Sequence, residues 1–327
     1  MPSFEAVDVE QNMEQDTEQA LGSYRVGAAT ITKIPELALE GIDAALLYPE
    51  YDSEAGAEEV RKLGPGSVDR QTGLLRQSVH AWLVTTPDRI ILVDTASGND
   101  KERPGLAVLH HLNEPFLERL SAAGVAPGDV DLVLLTHIHA DHAGWNTSKL
   151  GERWIPTFPN ARYVFSARER AYNAALAAAT SSDAAIRAEA SLGPMARLPL
   201  PGVFEDSVVP ILEAGLAREI VVDGSEVEEG FSFFPSPGHS IDHASIGFRS
   251  EGEYALFWGD VLHHPLQVAR PDWNSTYCEF PQAATASRQW ALNHAAETGA
   301  LVLTTHFAET SAGQVRRDGS AFSWQFV

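Results

Sequence analysis

Residues 131–142 read DLVLLTHIHADH, and this stretch decides the fold. The apolar run Leu132–Leu135 is bounded by Asp131 and Thr136. It is too short for a helix and has the apolar density of a strand buried on both faces. Four potential metal ligands follow within six residues: His137, His139, Asp141 and His142. Imidazole and carboxylate are the donors that a borderline divalent ion prefers. If the strand continues through the histidines, alternation points His137 and His139 to one side. Asp141 and His142 then lie on the turn, where Ala140 and Gly144 leave room for a tight loop. Four donors this close suit two ions better than one tetrahedral ion.

Working outward, three more residues repeat this placement. His239 stands in SPGHS after the strand FSFF, Asp260 in FWGD after YALFW, and His306 in TTHF after ALVL. Each alone reads as an ordinary turn or core residue. Together with the HIHADH cluster they place seven donors at strand ends, which would converge on one rim.

The rest of the chain reads as mixed strands and helices. SVHAWLVTT and RIILVDTA, joined by a Pro-Asp turn, predict a hairpin. Phe116, Leu117, Leu120 and Ala123 recur at helical spacing, with Gly124 as a stop. ARYVF (161–165) reads as a strand. Ser166 and Glu169 form a capping-box pattern that opens a helix to about Ala179. Residues 182–216 read as interrupted helix, broken by Pro194, Pro199, Pro201 and Pro210, and suit either a helical layer or a lid. The second half offers EIVV, FSFF, a hairpin over 243–260, a helix over 282–298 stopped by Gly299, the strand ALVLTT and a closing Asp-Gly hairpin. Segment 43–76, rich in Gly, Glu and Ser, reads as a long loop. Residues 1–22 read as an acidic arm and 23–327 as one α/β domain in four layers.

Bulk properties narrow the functions. The chain has 327 residues, 44% of them apolar, enough for a sizeable core. It has no apolar run long enough to span a membrane. The acidic N-terminus lacks the apolar segment of a secretory signal, which predicts a cytoplasmic address. The net charge of −22, from 23 basic and 45 acidic residues, argues against a nucleic-acid partner. The single cysteine, Cys278, can supply neither an internal disulfide nor a thiolate-rich zinc site, and it reads as a half-buried packing residue.

HxHxDH, PGH, GD and a late His, in that order, resemble the metallo-β-lactamase superfamily over residues 78–327. The resemblance implies the four-layered αβ/βα sandwich. It also implies one ion on His137, His139 and His239, a second on Asp141, His142 and His306, and Asp260 bridging them. Asp94, in ILVDTAS, matches the aspartate of the family's first motif and is expected to buttress the site. The ions are expected to be zinc, with Mn²⁺, Fe²⁺ or Co²⁺ also accepted by such donors.

Metal binding lowers the pKa of water from ~15.7 towards ~7. A bridging hydroxide would then attack a carbonyl or phosphoryl centre, with Asp141 orienting it or relaying its proton. No serine or cysteine nucleophile is called for. Among the other histidines (His80, His110, His111, His243, His263, His264 and His294), most read as structural or exposed. His263, three residues past Asp260, is the candidate for a catalytic or substrate contact. Trp145, Trp273 and Phe307 are candidate apolar walls, although each alone suits a core.

The long preface, FPNARYVFSARER, the spacing from Asp260 to His306, and AGQVRRDGSAFSWQFV look most like the branch of N-acyl-homoserine lactonases and methyl parathion hydrolase. That likeness implies opening of a lactone or cleavage of a related small, uncharged ester. Organophosphate triester hydrolysis and a glyoxalase II-like thioesterase are the alternatives. The first is disfavoured by the absence of a leader. The second is disfavoured by the strand-like ending where that group carries a helical domain. Lactonases of the branch often carry Tyr where His263 stands. A non-catalytic metal-binding scaffold is disfavoured, since every expected ligand position is filled. As in related lactonases, the arm and segment 43–76 are places where a homodimer could form.

Overall fold

The computed structural model describes residues 22–179 and 199–327. The acidic arm over 1–21 and the part of the interrupted-helix segment over 182–198 lie outside the described residues.

The described chain forms two seven-stranded sheets and a small hairpin. The first sheet has the order β1 (Ser23–Val26), β2 (Ala29–Ile42), β3 (Leu75–Thr85), β4 (Ile90–Val93), β5 (Leu132–Leu134), β8 (Arg162–Ser166) and β9 (Ala217–Ile220). The small hairpin is β6 (Thr147–Leu150) with β7 (Arg153–Pro156). The second sheet runs in chain order through β10 (Glu226–Glu228), β11 (Phe231–Pro235), β12 (Ala244–Ser250), β13 (Glu253–Gly259), β14 (Leu301–Thr304), β15 (Ala312–Asp318) and β16 (Ala321–Phe326). Helices are α1 (Ala44–Leu47), α2 (Ser53–Lys62), α3 (Phe116–Ala122), α4 (Ala167–Ala178), α5 (Val203–Ser207), α6 (Val209–Glu213), α7 (Leu266–Ala269) and α8 (Pro281–Thr298).

Strand alternation builds the four layers. Trp82 and Val84, Ile91 and Val93, and Leu132 and Leu134 face the second sheet, meeting Phe233, Ile246, Phe257 and Leu303 in one core. Their chain neighbours Leu83, Leu92 and Val133 face outward onto Phe116 and Leu120 of α3, Val203 of α5 and Ile211 of α6. In the second sheet Leu256, Trp258 and Val302 turn the other way, onto Ala291, Leu292 and Ala295 of α8. Strands covered on both faces lose the polar/apolar alternation, which is why IILV and LVL read as continuous apolar runs. No helix among the described residues is long and apolar enough to cross a membrane.

The structure corrects several sequence readings. Segment 43–76 is not one long loop. Asp52 caps α2 by accepting from the backbone N–H of Glu54 and Ala55, and α1 precedes it under a similar Asp43 cap. The EIVV strand pairs with β8, so it belongs to the first sheet and not to the second half. Ser166 does cap α4, accepting from the N–H of Arg168 and Glu169. The Glu169 carboxylate, however, does not return to the cap; it reaches Ser240 and Asp242 instead.

Within each sheet the site-bearing strands run parallel, β4 with β5 and β13 with β14, so their carboxyl ends share an edge. The two edges meet there: Ser78 N–H of β3 donates to His306 O at 3.1 Å, and Gln77 bridges to Phe307.

Candidate metal centre

The turn after β5 carries His137, His139, Asp141 and His142. The strand stops at Leu134, so strand alternation is not what brings His137 and His139 together. Their rings lie 4.5 Å apart because the chain coils in a loop under tight external control. Gly144 makes that coil possible: a Cβ there would fall 1.8 Å from Ser97 O. Glu36 of β2, fully inside, accepts from Ser97 N (2.8 Å), Gly98 N (2.9 Å) and Trp145 Nε1 (2.6 Å), locking the two loops together. Asp94 stands in the left-handed region (φ 58°) at the end of β4 and accepts from Thr136 N–H and Oγ1 and from His142 Nδ1 (2.8 Å).

The second sheet supplies the rest. His239 comes from the β11–β12 loop, Asp260 from the end of β13, and His306 from just beyond β14. Asp260 occupies the centre. Its Oδ1 lies 3.1 Å from His142 Nε2, and its Oδ2 lies 3.1 Å from His239 Nε2 and 3.0 Å from His306 Nε2. His139 Nδ1 faces His239 Nε2 at 2.8 Å, and Asp141 Oδ2 is 3.4 Å from His306 Nε2. Four groups each place three ligand atoms within 4.8 Å of one another: His137–His139–His239, His137–His142–Asp260, Asp141–His142–His306 and His239–Asp260–His263.

The side chains fit a pair of cations. His137 Nε2, His142 Nε2 and Asp260 Oδ1 are buried without a hydrogen-bond partner among the described residues, which is costly unless something else satisfies them. The outer nitrogens are held instead: His137 by Thr136 Oγ1, His139 by Glu279 Oε1 (2.7 Å), His142 by Asp94 and His306 by Ser78 O (3.0 Å). This turns the free nitrogen of each ring inward. His306 is hydrogen-bonded to an acceptor through both nitrogens, a demand that only an imidazolium or a metal-bound imidazole meets, and His142 Nε2 lies against Asp260 Oδ1 without a hydrogen bond to it. Burial opposes charge on both, yet Asp260 and the other nearby carboxylates raise their pKa. Burial and neighbouring histidines lower that of His137, while His239 falls under burial despite Asp260. The cluster has no thiolate, and its nitrogen and oxygen donors suit zinc and similar divalent ions.

His263 joins the same centre. Its backbone is clamped from both ends, Gln267 Oε1 accepting from its N–H at 2.7 Å and Gln77 Nε2 donating to its carbonyl at 2.6 Å. Its buried ring stacks on His306 (5.5 Å, 7°) with Nε2 3.3 Å from Asp260 Oδ2, and neither ring nitrogen has a hydrogen-bond partner among the described residues.

A cleft opens over the centre. Leu39, Val79, Leu106, Leu109, Leu200 and Tyr277 line it, and none of its described lining residues is Lys or Arg. His139 and Asp141 are the ligand candidates with the most exposure, so they mark the side of approach. Trp145, Trp273 and Phe307 are not its walls: each is buried in a separate core cluster, Trp145 stacked on Phe116. Cys278 is fully rather than half buried, with its thiol pushed up to about 11 by burial.

Of the other histidines, His80 and His243 are buried and hydrogen-bonded, while His110 and His111 are exposed. His264 is buried as a neutral ring: Nε2–H donates to Ser67 O, and Nδ1 accepts from Leu266 N–H. Burial lowers its pKa to about 4. An unfolded histidine titrates near ~6.5, so unfolding takes up a proton as pH falls from there. The His264 contribution is complete above pH ~6.5 and is lost towards pH 4, amounting to about 3 kcal/mol. Urea unfolding at pH 7 and pH 5 should show a smaller acid loss in His264→Gln than in the parent; equal losses would refute this.

Sequence reasoning missed Glu36, Gln77, Gln267 and Glu279. Each acts on a partner at least four residues away, and no local pattern marks them. Glu169 was visible only as a helix-capping residue.

Residues 75–306 match the family described as the metallo-beta-lactamase superfamily. Among solved structures, the chain is similar to hydrolase AbOPH of the beta lactamase superfamily (24% identity, 95% of this chain and 99% of that one, TM-score 0.76). It is similar also to AidC, a dizinc quorum-quenching lactonase in complex with a homoserine product (20%, 94% and 97%, TM-score 0.71). A third is an AiiA variant from B. thuringiensis with N-decanoyl-L-homoserine bound at the active site (20%, 87% and 94%, TM-score 0.57).

Proposed function

The chain belongs to the metallo-beta-lactamase superfamily, and from that premise we propose that it is a dinuclear metal-dependent hydrolase that opens a lactone or cleaves a related uncharged ester. The observation that carries this reading is Asp260, whose carboxylate lies 3.0–3.1 Å from imidazoles of both groups, His239 of one and His142 and His306 of the other. His137, His139 and His239 would hold one ion, and Asp141, His142 and His306 the other. When bound, such a pair supplies an acidified water and a Lewis acid for an ester oxygen.

The protein's own groups do the rest. Asp141, partly exposed and near His306, is placed to orient that water and accept its proton. His263 offers a ring nitrogen at the cleft wall to an oxygen of the substrate. The aliphatic lining accepts an acyl or alkyl tail and excludes water, while the described lining residues, none of them Lys or Arg, disfavour a carboxylate or phosphate monoester. The products bound in AidC and AiiA support a lactone. His263, standing where lactonases of the branch often have Tyr, favours a second reading, hydrolysis of neutral organophosphate triesters.

The test is a panel of lactones of graded ring size and tail length, aryl esters and paraoxon-type triesters, assayed with the metal-loaded protein. Neutral lactones with apolar tails should head the ranking, and His263→Ala should lower kcat on them by about 10²-fold. Faster turnover of the triesters would favour the second reading. If no member is turned over, the hydrolase reading is lost.

A further inference from the structure

Two of the three rings assigned to the first ion hang on one short segment, 279–280, just before α8. Glu279 is 1% exposed. Its Oε1 accepts from His139 Nε2 at 2.7 Å, and its backbone N–H donates to His239 O at 3.0 Å. Phe280 N–H donates to Gly238 O at 2.8 Å, which fixes the loop that carries His239. A second buried carboxylate, Glu169 of α4, closes the other side by accepting from Ser240 Oγ (2.5 Å), Asp242 N (2.7 Å) and Ile138 N (3.4 Å).

We propose that Glu279 is a positioning residue that sets the affinity of the first metal site alone, through His139. The inference rests on the dinuclear reading above. A carboxylate that accepts from one imidazole nitrogen fixes the tautomer and makes the opposite nitrogen a stronger donor. Here the opposite nitrogen is His139 Nδ1, the one that faces His239. The other oxygen, Oε2, is buried without a hydrogen-bond partner among the described residues. A buried carboxylate left half-satisfied is destabilising, and a cation one imidazole away offsets that cost.

Asp94 stands in the same relation to His142, from the other sheet. Each ion would thus have one carboxylate-backed imidazole, Asp94 delivered by the first sheet and Glu279 by the β13–β14 connection of the second. Separate supports predict separable affinities.

The experiment is stepwise removal of Co²⁺ or Zn²⁺ by a chromogenic chelator from the purified full chain, with the Co²⁺ absorption spectrum followed. The parent should release two ions. Glu279→Leu should bind one of them about 10- to 100-fold more weakly and leave the other unchanged. Glu279→Gln, which retains an acceptor oxygen without the charge, should fall between. Asp94→Asn should weaken the other ion and remove a different set of absorption bands. The metal-free melting temperature separates positioning from folding, and Glu279→Gln carries the test if Glu279→Leu folds poorly. Equal loosening of both ions, or no loosening of either, overturns the proposal. A parent that binds only one ion would sink the dinuclear reading itself. Glu279 is then judged on that ion, with weakened binding in both variants retaining the positioning role and unchanged binding ending it.

Discussion

Asp260→Asn should lose both ions and lower kcat/KM by about 10³-fold or more. Its carboxylate contacts His142 through Oδ1 and His239 and His306 through Oδ2, at 3.0–3.1 Å. Asparagine removes the negative charge and replaces one oxygen with an N–H₂ group. That nitrogen has no lone pair to offer a cation, so it would donate to the inward lone pairs of the rings instead of sharing an ion with them. The backbone gives no escape. His243 Nε2 accepts from Asp260 N–H at 2.9 Å, and Gly259 precedes it at φ 56°, where a Cβ would lie 2.5 Å from that same nitrogen. The side chain therefore stays in place with the wrong chemistry. Loss of a single preorganised electrostatic contact already costs about 10²–10³ in kcat, and in the proposed centre two ions would depend on one residue. Elemental analysis and steady-state kinetics on the same preparation decide it. Two ions per chain with near-parent kcat/KM would remove Asp260 from the bridging role.

Chelation should abolish hydrolysis and lower the melting temperature by about 15 °C, with both restored by added zinc. At a concentration a thousandfold above its Kd, each ion stabilises the folded chain by about 4 kcal/mol. A chain of this length gains roughly 2 °C per kcal/mol. The metal-free centre also carries its own penalty. His137, His142, His239, His306 and Asp260 are all buried, and the inward atoms of His137, His142 and Asp260 lack partners among the described residues. Activity that survives complete metal removal would refute a metal-dependent reaction. A melting temperature unmoved by chelation would show that the cluster does not couple to ion binding. Thermal scans at several zinc concentrations measure the linkage directly, since the midpoint should climb with the logarithm of free ion.

The local pattern was enough to read the strand Leu132–Leu134, the donor-rich turn behind it, the hairpins, and the helices that begin at Ala167 and end at Gly299. These depend on neighbours in sequence: apolar runs, caps and turn residues act within a few positions. The seven candidate donors were legible for the same reason, each following an apolar strand. Two helices in segment 43–76 were overlooked although Asp52 carries an ordinary cap signal, because Gly, Glu and Ser there outweighed it. Tertiary structure alone decided what surrounds the donors. Glu279 reaches His139 across 140 positions, Ser78 of one sheet holds His306 of the other, and Glu169 leaves its cap for Ser240. It also sent Trp145, Trp273 and Phe307 into cores and left the cleft to Leu39, Val79 and Leu106. A ligand is named by its own chemistry and its strand end, whereas the group that orients it is named only by proximity, and proximity between distant segments exists only once the two sheets have packed.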